Sequence, residues 1–147
     1  PLMDEIFLRQ LDCPDPNVVQ VAILALVELR GRHAWRLLPL LGHPDEGVRA
    51  VAAFGLSRRG GFWAVSALLG SLSDRGPEVR VSAIHALGCL RSREAVPMLE
   101  SLAGGGADAL LSAHVHSALS RIAGPSLRQR IGSRLRTLGR SILEASF

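Results

Sequence analysis

Apolar residues recur along the chain in a pattern that repeats about every 30 residues. The clearest stretches begin at Asp15, Asp45 and Glu78, and a weaker one begins at Leu110. Within each stretch the apolar residues are spaced four apart, which places them on one face of a helix. Three aligned columns carry this spacing, namely Val18/Val48/Val79/Leu111, Ala22/Ala52/Ala83/Val115 and Leu26/Leu56/Leu87/Leu119. The pattern predicts four copies of one helix whose buried face keeps the same register.

A shorter apolar segment follows each of the first three stretches, after a break rich in Arg or Gly. Asp15 and Asp45 stand where an N-cap residue is expected, and Pro16 suits the first helical position. The unit is therefore a pair of antiparallel helices, and such pairs bury their apolar faces by stacking. We expect an all-α fold, an α-solenoid forming one domain over residues 1–147. Its parts are a partial repeat at 1–12 and repeats at 15–42, 45–73, 76–103 and 107–145.

The pattern Asp-x-x-Val-Arg-x-x-Ala-x-x-x-Leu-Gly, followed by Ala-Val-x-x-Leu-x-x-Leu, resembles the short HEAT-like repeat of bacterial proteins. It is similar in particular to the type first described in phycobilin lyases, over roughly residues 1–124. The residues that carry the resemblance best are Asp45, Val48, Arg49, Ala52, Leu56, Val79, Arg80, Ala83, Leu87 and Gly88. The resemblance implies a protein-binding scaffold. It also implies that Arg49 and Arg80 are ladder residues, each paired with an Asp between repeats.

The resemblance further implies that the shorter helix of each repeat lines a concave face. Nine positions of these segments that the core does not use form the predicted partner-binding groove: His33, Arg36, Pro39, Trp63, Ser66, Leu69, Glu94, Pro97 and Glu100. Trp63 is a candidate both for packing and for an interface, where Trp is enriched. Trp35 aligns with core valines and is predicted to be buried. The change from Arg36 to Glu100 predicts a groove with a charge gradient.

Charge is unevenly distributed along the chain. All 17 basic residues are arginine and the formal net charge is +4, but residues 121–147 contain six arginines and one glutamate. Apolar residues at helical spacing predict a capping helix over 126–147. Its predicted basic face consists of Arg128, Arg130, Arg134, Arg136 and Arg140. Such a face serves either as the polar end of the array or as a surface that neutralises nucleic-acid phosphates.

The remaining chemistry argues against an enzyme. No nucleophile–base pattern or phosphate-binding loop occurs in the sequence. His114 and His116 lie about 200° apart on a helix, so they cannot hold one metal ion together. Cys13 and Cys89 are too few for a disulfide framework or a zinc site. We therefore predict a non-enzymatic, cytoplasmic protein without cofactor or metal, and no apolar run indicates a membrane partner.

Three functions remain open on the sequence. The first is an interaction scaffold or adaptor that binds another protein, and the second is nucleic-acid binding through the arginine-rich C-terminal helix. The third, supported by the repeat type alone, is a chaperone resembling the chromophore lyases. Self-association is a further expectation, because Leu2, Ile6 and Leu8 predict an apolar face on the first helix.

Overall fold

The computed structural model describes residues 2–29, 33–105 and 109–123, without the side chains of Arg59 and Phe62. Their regular secondary structure is entirely helical, with turns and bends between the helices and no strand in these ranges. The α-helices are α1 Leu2–Gln10, α2 Pro16–Glu28, α3 Glu46–Arg59, α4 Phe62–Ser71, α5 Pro77–Cys89, α6 Val96–Gly104 and α7 Ala109–Ile122. Short 3-10 helices span Ala34–Leu37, Pro39–Gly42 and Arg93–Ala95. The predicted all-α class is therefore confirmed.

Two of the helices that follow the repeat pattern, α2 and α3, begin at the expected caps. The Asp15 carboxylate accepts a hydrogen bond from the backbone N–H of Asn17 at 2.9 Å. The Asp45 carboxylate accepts one from the backbone N–H of Val48, also at 2.9 Å. Each bond satisfies a donor that has no partner inside its helix, which fixes where the helix starts. Both predicted caps are confirmed.

Helices α2, α3, α5 and α7, here called the ladder helices, pack against one another in chain order. The second and third predicted columns are buried in all four copies, from Ala22 and Leu26 to Val115 and Leu119. The first column is buried only in the middle copies, since Val18 and Leu111 stay partly exposed. Burial of these repeated apolar positions gives one continuous core along the stack, as expected for a solenoid.

The other elements form a second row, made of α1, the 3-10 segments at 34–42, α4, and α6 with its preceding 3-10 turn. Close packing joins α4 to α5 and α6 to α7, but α4 and α6 are not among the closely packed pairs. The ladder helices are therefore packed against one another more closely than the second-row elements are.

The second-row segment at residues 34–42 differs from the prediction. The first short segment forms two consecutive 3-10 helices and not one α-helix. Pro39 lies in the middle of this segment and has no N–H for an α-helical hydrogen bond. Pro97 sits in the first turn of α6, where that N–H is not needed, and α6 is α-helical.

The altered backbone explains why the expected burial of Trp35 is wrong. Trp35 is 55% exposed, while Leu37, two positions later, is buried in the core. The Arg36 guanidinium lies 5.6 Å from the centre of the Trp35 ring, a cation–π contact on the surface. Trp35 therefore belongs to the accessible surface of the second row.

Candidate functional site

Arg49 is a buried charged residue whose side chain donates four hydrogen bonds. It lies in the first turns of α3, is only 4% exposed, and donates two hydrogen bonds to the Asp74 carboxylate, each 3.0 Å long. Its Nη1 also donates to the backbone carbonyls of His43 and Pro44, at 2.9 Å each. This two-pronged pairing suits the fork shape of guanidinium and holds the loop of one repeat against the next. The predicted ladder role is confirmed for Arg49.

Electrostatics follow this geometry. Hydrogen bonding from Arg49 is the main cause that lowers the pKa of Asp74 from its ordinary value of 3.8. Burial opposes the shift, and the backbone N–H of Gly76, which donates to Asp74 at 2.7 Å, adds to it. Asp74 is therefore ionised at neutral pH and stabilises the junction between α3 and α5.

Arg80 occupies the same position one repeat later, and within the described part of the chain it repeats the contacts with loop carbonyls but not the carboxylate pair. Its Nη1 donates to the backbone carbonyls of Asp74, at 2.8 Å, and Arg75, at 3.3 Å. No carboxylate pairs with Arg80 among the residues that the structure describes. The loop contacts of the ladder residue are thus shared by both repeats, whereas the carboxylate pair is seen only at Arg49.

The nine residues of the predicted groove all belong to the second row. Five are exposed, namely Pro39, Trp63, Ser66, Glu94 and Pro97, and four are partly buried, namely His33, Arg36, Leu69 and Glu100. Trp63 is 39% exposed, which is compatible with an interface. The segments that carry these residues do not pack closely against one another. The groove therefore remains a prediction.

A second surface runs across the ladder helices and is joined by direct side-chain contacts. The rings of Phe54 and His85 stack with their centres 6.4 Å apart, which links α3 to α5. Arg121 Nη1 lies 3.2 Å from His85 Nε2 and donates to Cys89 Sγ at 3.0 Å, which links α5 to α7. On the other side, an Arg58–Glu28 ion pair of 3.9 Å links α3 to α2.

We call this surface the ladder face and define it by eight residues: Val21, Leu24, Glu28, Phe54, Arg58, His85, Cys89 and Arg121. Its first half exposes large apolar side chains, with Val21 at 62%, Leu24 at 43% and Phe54 at 37% exposed. Its far end is polar and holds Arg121. Apolar residues that line up across neighbouring helices are typical of a binding surface, whereas scattered ones are not.

The electrostatics of the polar end are set by burial and by Arg121. The pKa of His85 is lowered from 6.5, first because the ring is partly buried, and then because Arg121 and His114 repel a second positive charge. The ring is therefore neutral at neutral pH. The positive charge at this end resides on Arg121.

Sequence reasoning missed the ladder face because it followed only the buried columns. The same alignment contains the columns Leu24/Phe54/His85/Ser117 and Glu28/Arg58/Cys89/Arg121, which lie on the opposite side of each helix. Large apolar residues in columns outside the core were the available signal. Whether two such positions touch depends on the distance between helices, which the alignment does not contain.

Other predicted chemistry adds little to these surfaces. In the described ranges, no group of three or more His, Cys, Asp or Glu side chains is arranged to hold a metal ion. Nor does any helix in them have the length and apolar character needed to cross a membrane. The predicted basic face at 128–140 and the capping helix lie outside the described residues.

The stacked helix pairs and the buried Arg49, paired with Asp74 of the following loop, define an α-solenoid of the HEAT type. The chain matches the HEAT repeat family over residues 34–120, and it belongs to that family. No curated protein matches the chain. HEAT repeats are generally protein-interaction scaffolds, and the family is typically non-enzymatic.

Proposed function

We propose that this protein is a non-enzymatic interaction scaffold that binds another protein on its ladder face. The single observation that carries the proposal is the row of exposed apolar side chains, Val21, Leu24 and Phe54, on helices that pack side by side. Water around this apolar row is released when a partner covers it, which provides the driving force for binding.

The rigidity of the ladder helices supports the same proposal. Buried columns fix each helix from behind, and the Arg49–Asp74 pair fixes the loops between α3 and α5. A surface that is already ordered loses little conformational entropy on binding. The predicted second-row groove around Trp63 is the competing surface on the same scaffold.

The test compares both surfaces in one affinity capture experiment. The immobilised protein is incubated with a lysate of the source organism, with and without nuclease, and retained proteins are identified by mass spectrometry. The ladder-face variants are Leu24→Glu and Phe54→Glu, and the second-row variants are Trp63→Glu and Glu100→Arg. Circular dichroism confirms that each variant is folded.

We expect the ladder-face variants to lose a specific protein that the second-row variants retain, regardless of nuclease. Loss with Trp63→Glu and Glu100→Arg would instead assign binding to the predicted groove and its charge gradient. Capture that disappears with nuclease would favour the alternative function, nucleic-acid binding through the C-terminal arginines. The phycobilin-lyase type, the bacterial origin and the cytoplasmic location remain predictions from the sequence.

A further inference from the structure

The ladder face differs in character between its two ends. Val21 and Leu24 on α2 and Phe54 on α3 make the first half apolar. At the other end, α7 presents Arg121. The one ion pair on the first half, Arg58 with Glu28, is internally neutral. The face therefore runs from apolar to positively charged across the four ladder helices.

Arg121 differs from the other structured arginines of the ladder helices in what surrounds it. Arg49 is paired with Asp74 and Arg58 with Glu28, and Arg80 donates to two backbone carbonyls. The guanidinium of Arg121 instead contacts the ring of His85 and the sulfur of Cys89, and no carboxylate of the described residues lies within 4.0 Å of it. A guanidinium whose described contacts are an imidazole ring and a sulfur atom is ready to pair with an anion from outside.

From these observations we infer that the ladder face binds a protein segment with large apolar residues at one end and carboxylates at the other. The apolar residues would cover Leu24 and Phe54, and a carboxylate would pair with Arg121. This inference rests on the proposed scaffold function and adds the chemistry of the partner.

The spacing of the helices sets the length of that segment. Packed helices lie about 8–10 Å apart, so the three steps from α2 to α7 cover about 24–30 Å. A helical partner segment rises 1.5 Å per residue and would need about 16–20 residues to span this distance. From Phe54 to Arg121 there are two steps, which places the carboxylate about 11–13 helical residues from the apolar anchor.

The probe is a phage-displayed library of random 20-residue peptides, selected on the immobilised full chain. Parallel selections use Arg121→Gln and the matched control Arg58→Gln, which removes the same charge from the same column on α3. Binding of the selected peptides to the protein and to Phe54→Glu is then measured by fluorescence anisotropy. Sequencing of the pools gives their content of Asp, Glu and large apolar residues.

We expect the wild-type pool to be enriched in carboxylates and large apolar residues at separate ends of the peptides. The pool selected on Arg121→Gln loses the enrichment in carboxylates, while the Arg58→Gln pool keeps it. Selected acidic peptides should bind Arg121→Gln about five-fold more weakly, as for an exposed ion pair, and added salt should reduce this difference.

Different results would overturn the inferred partner chemistry and the proposed scaffold function. A pool that binds the Phe54 surface without enrichment in carboxylates, or with an enrichment unaffected by Arg121→Gln, overturns the inference and leaves the scaffold function intact. A pool that binds Phe54→Glu as well as the wild type, or no selected peptides at all, overturns both.

A chemical measurement avoids dependence on any variant of Arg121. In a Cys13→Ser background, Cys89 is the remaining thiol, it is exposed, and its sulfur accepts a hydrogen bond from Arg121. Alkylation of Cys89 with N-ethylmaleimide adds bulk beside the guanidinium. Binding of the acidic peptides should fall several-fold after this alkylation, and unchanged binding would contradict their placement at Arg121.

Discussion

Two neighbouring junctions of the stack are held together by different physical means. Between α3 and α5 the contacts at the loop end are polar: Arg49 pairs with Asp74, and Glu46 accepts a hydrogen bond from the backbone N–H of Glu78 at 3.2 Å. Between α5 and α7 a close approach of small residues takes over. A Cβ added to Gly88 would lie 2.8 Å from the Cα of Ala118.

The comparison shows that one repeat pattern permits two kinds of junction. A paired charge fixes the loops of the α3–α5 junction through geometry that only one orientation satisfies. The α5–α7 junction depends on the absence of a side chain, which lets two helix backbones approach. Removing a charge should therefore destabilise the α3–α5 junction, and adding a side chain should destabilise the α5–α7 junction.

The largest effect is expected from Arg49→Met. This change keeps an apolar stem but removes the charge, which leaves the mostly buried Asp74 carboxylate with the backbone N–H of Gly76 and without its charged partner. Breaking a buried pair on one side costs about 3–5 kcal/mol of unfolding free energy. The matched control is Arg80→Met, which loses only hydrogen bonds to carbonyls and should cost about 1 kcal/mol. Urea unfolding measures both, and equal losses would contradict the difference between the two ladder residues.

Acid titration sharpens the role of the same pair. Because the folded-state pKa of Asp74 is lowered from 3.8, its contribution to stability is complete above that value and is lost as the pH falls through the lower value. The advantage of the wild type over Asp74→Asn, about 3 kcal/mol at neutral pH, should therefore shrink below pH 3.8. Urea midpoints over this pH range test it, and a constant advantage would rule out the ion pair as its source.

Gly88→Ala tests the α5–α7 junction. The added methyl group meets backbone and not a flexible side chain, so α5 and α7 must move apart, at a cost of about 1–3 kcal/mol. The control is Gly70→Ala on α4, where an added Cβ has nothing within 4 Å. There, helix propensity should raise stability by about 0.5–1 kcal/mol. Thermal unfolding of the two variants should give shifts of opposite sign, and a stabilised Gly88→Ala would disprove the close approach.

The smallest effect on folding stability is expected from His85, which lies on the ladder face at the α5–α7 junction. The lowered pKa of His85 means that the unfolded state takes up a proton first, so folding stability declines as the pH falls below 6.5. His85→Gln should flatten this decline slightly, because the ring is partly exposed and its charge is screened. Melting temperatures from pH about 8 to pH about 5 measure the slope, with His116→Gln as control. Identical slopes in wild type and His85→Gln would exclude the effect.

Part of the fold could be predicted because it depends on local rules. The helix caps at Asp15 and Asp45 and the buried columns follow from residue type and spacing within one repeat. The ladder role of Arg49 followed from the resemblance to HEAT-like repeats and is confirmed by its bonds to Asp74. Trp35 could not be predicted in this way, because Pro39 changes the backbone of its segment and with it the register of burial.

The candidate site was less predictable than the fold. The predicted groove used the second row, whereas the contacts that join neighbouring helices on the surface lie on the ladder face. Phe54, His85 and Arg121 are separated by 31 and 36 positions in the chain, and only the packing distance brings them into contact. Their columns were visible in the alignment, but nothing in it indicated that they form one surface.

The sequence by itself determined the repeat, the caps at Asp15 and Asp45, and the second and third buried columns. Hydrogen bonding near a helix end and apolar periodicity are local, and they do not depend on the distance between repeats. The tertiary structure alone decided that, among the described residues, a carboxylate pairs with Arg49 while Arg80 binds carbonyls, and that Arg121 stands beside His85 and Cys89. These contacts depend on ångström-scale distances between helices, which result from the packing of the whole stack.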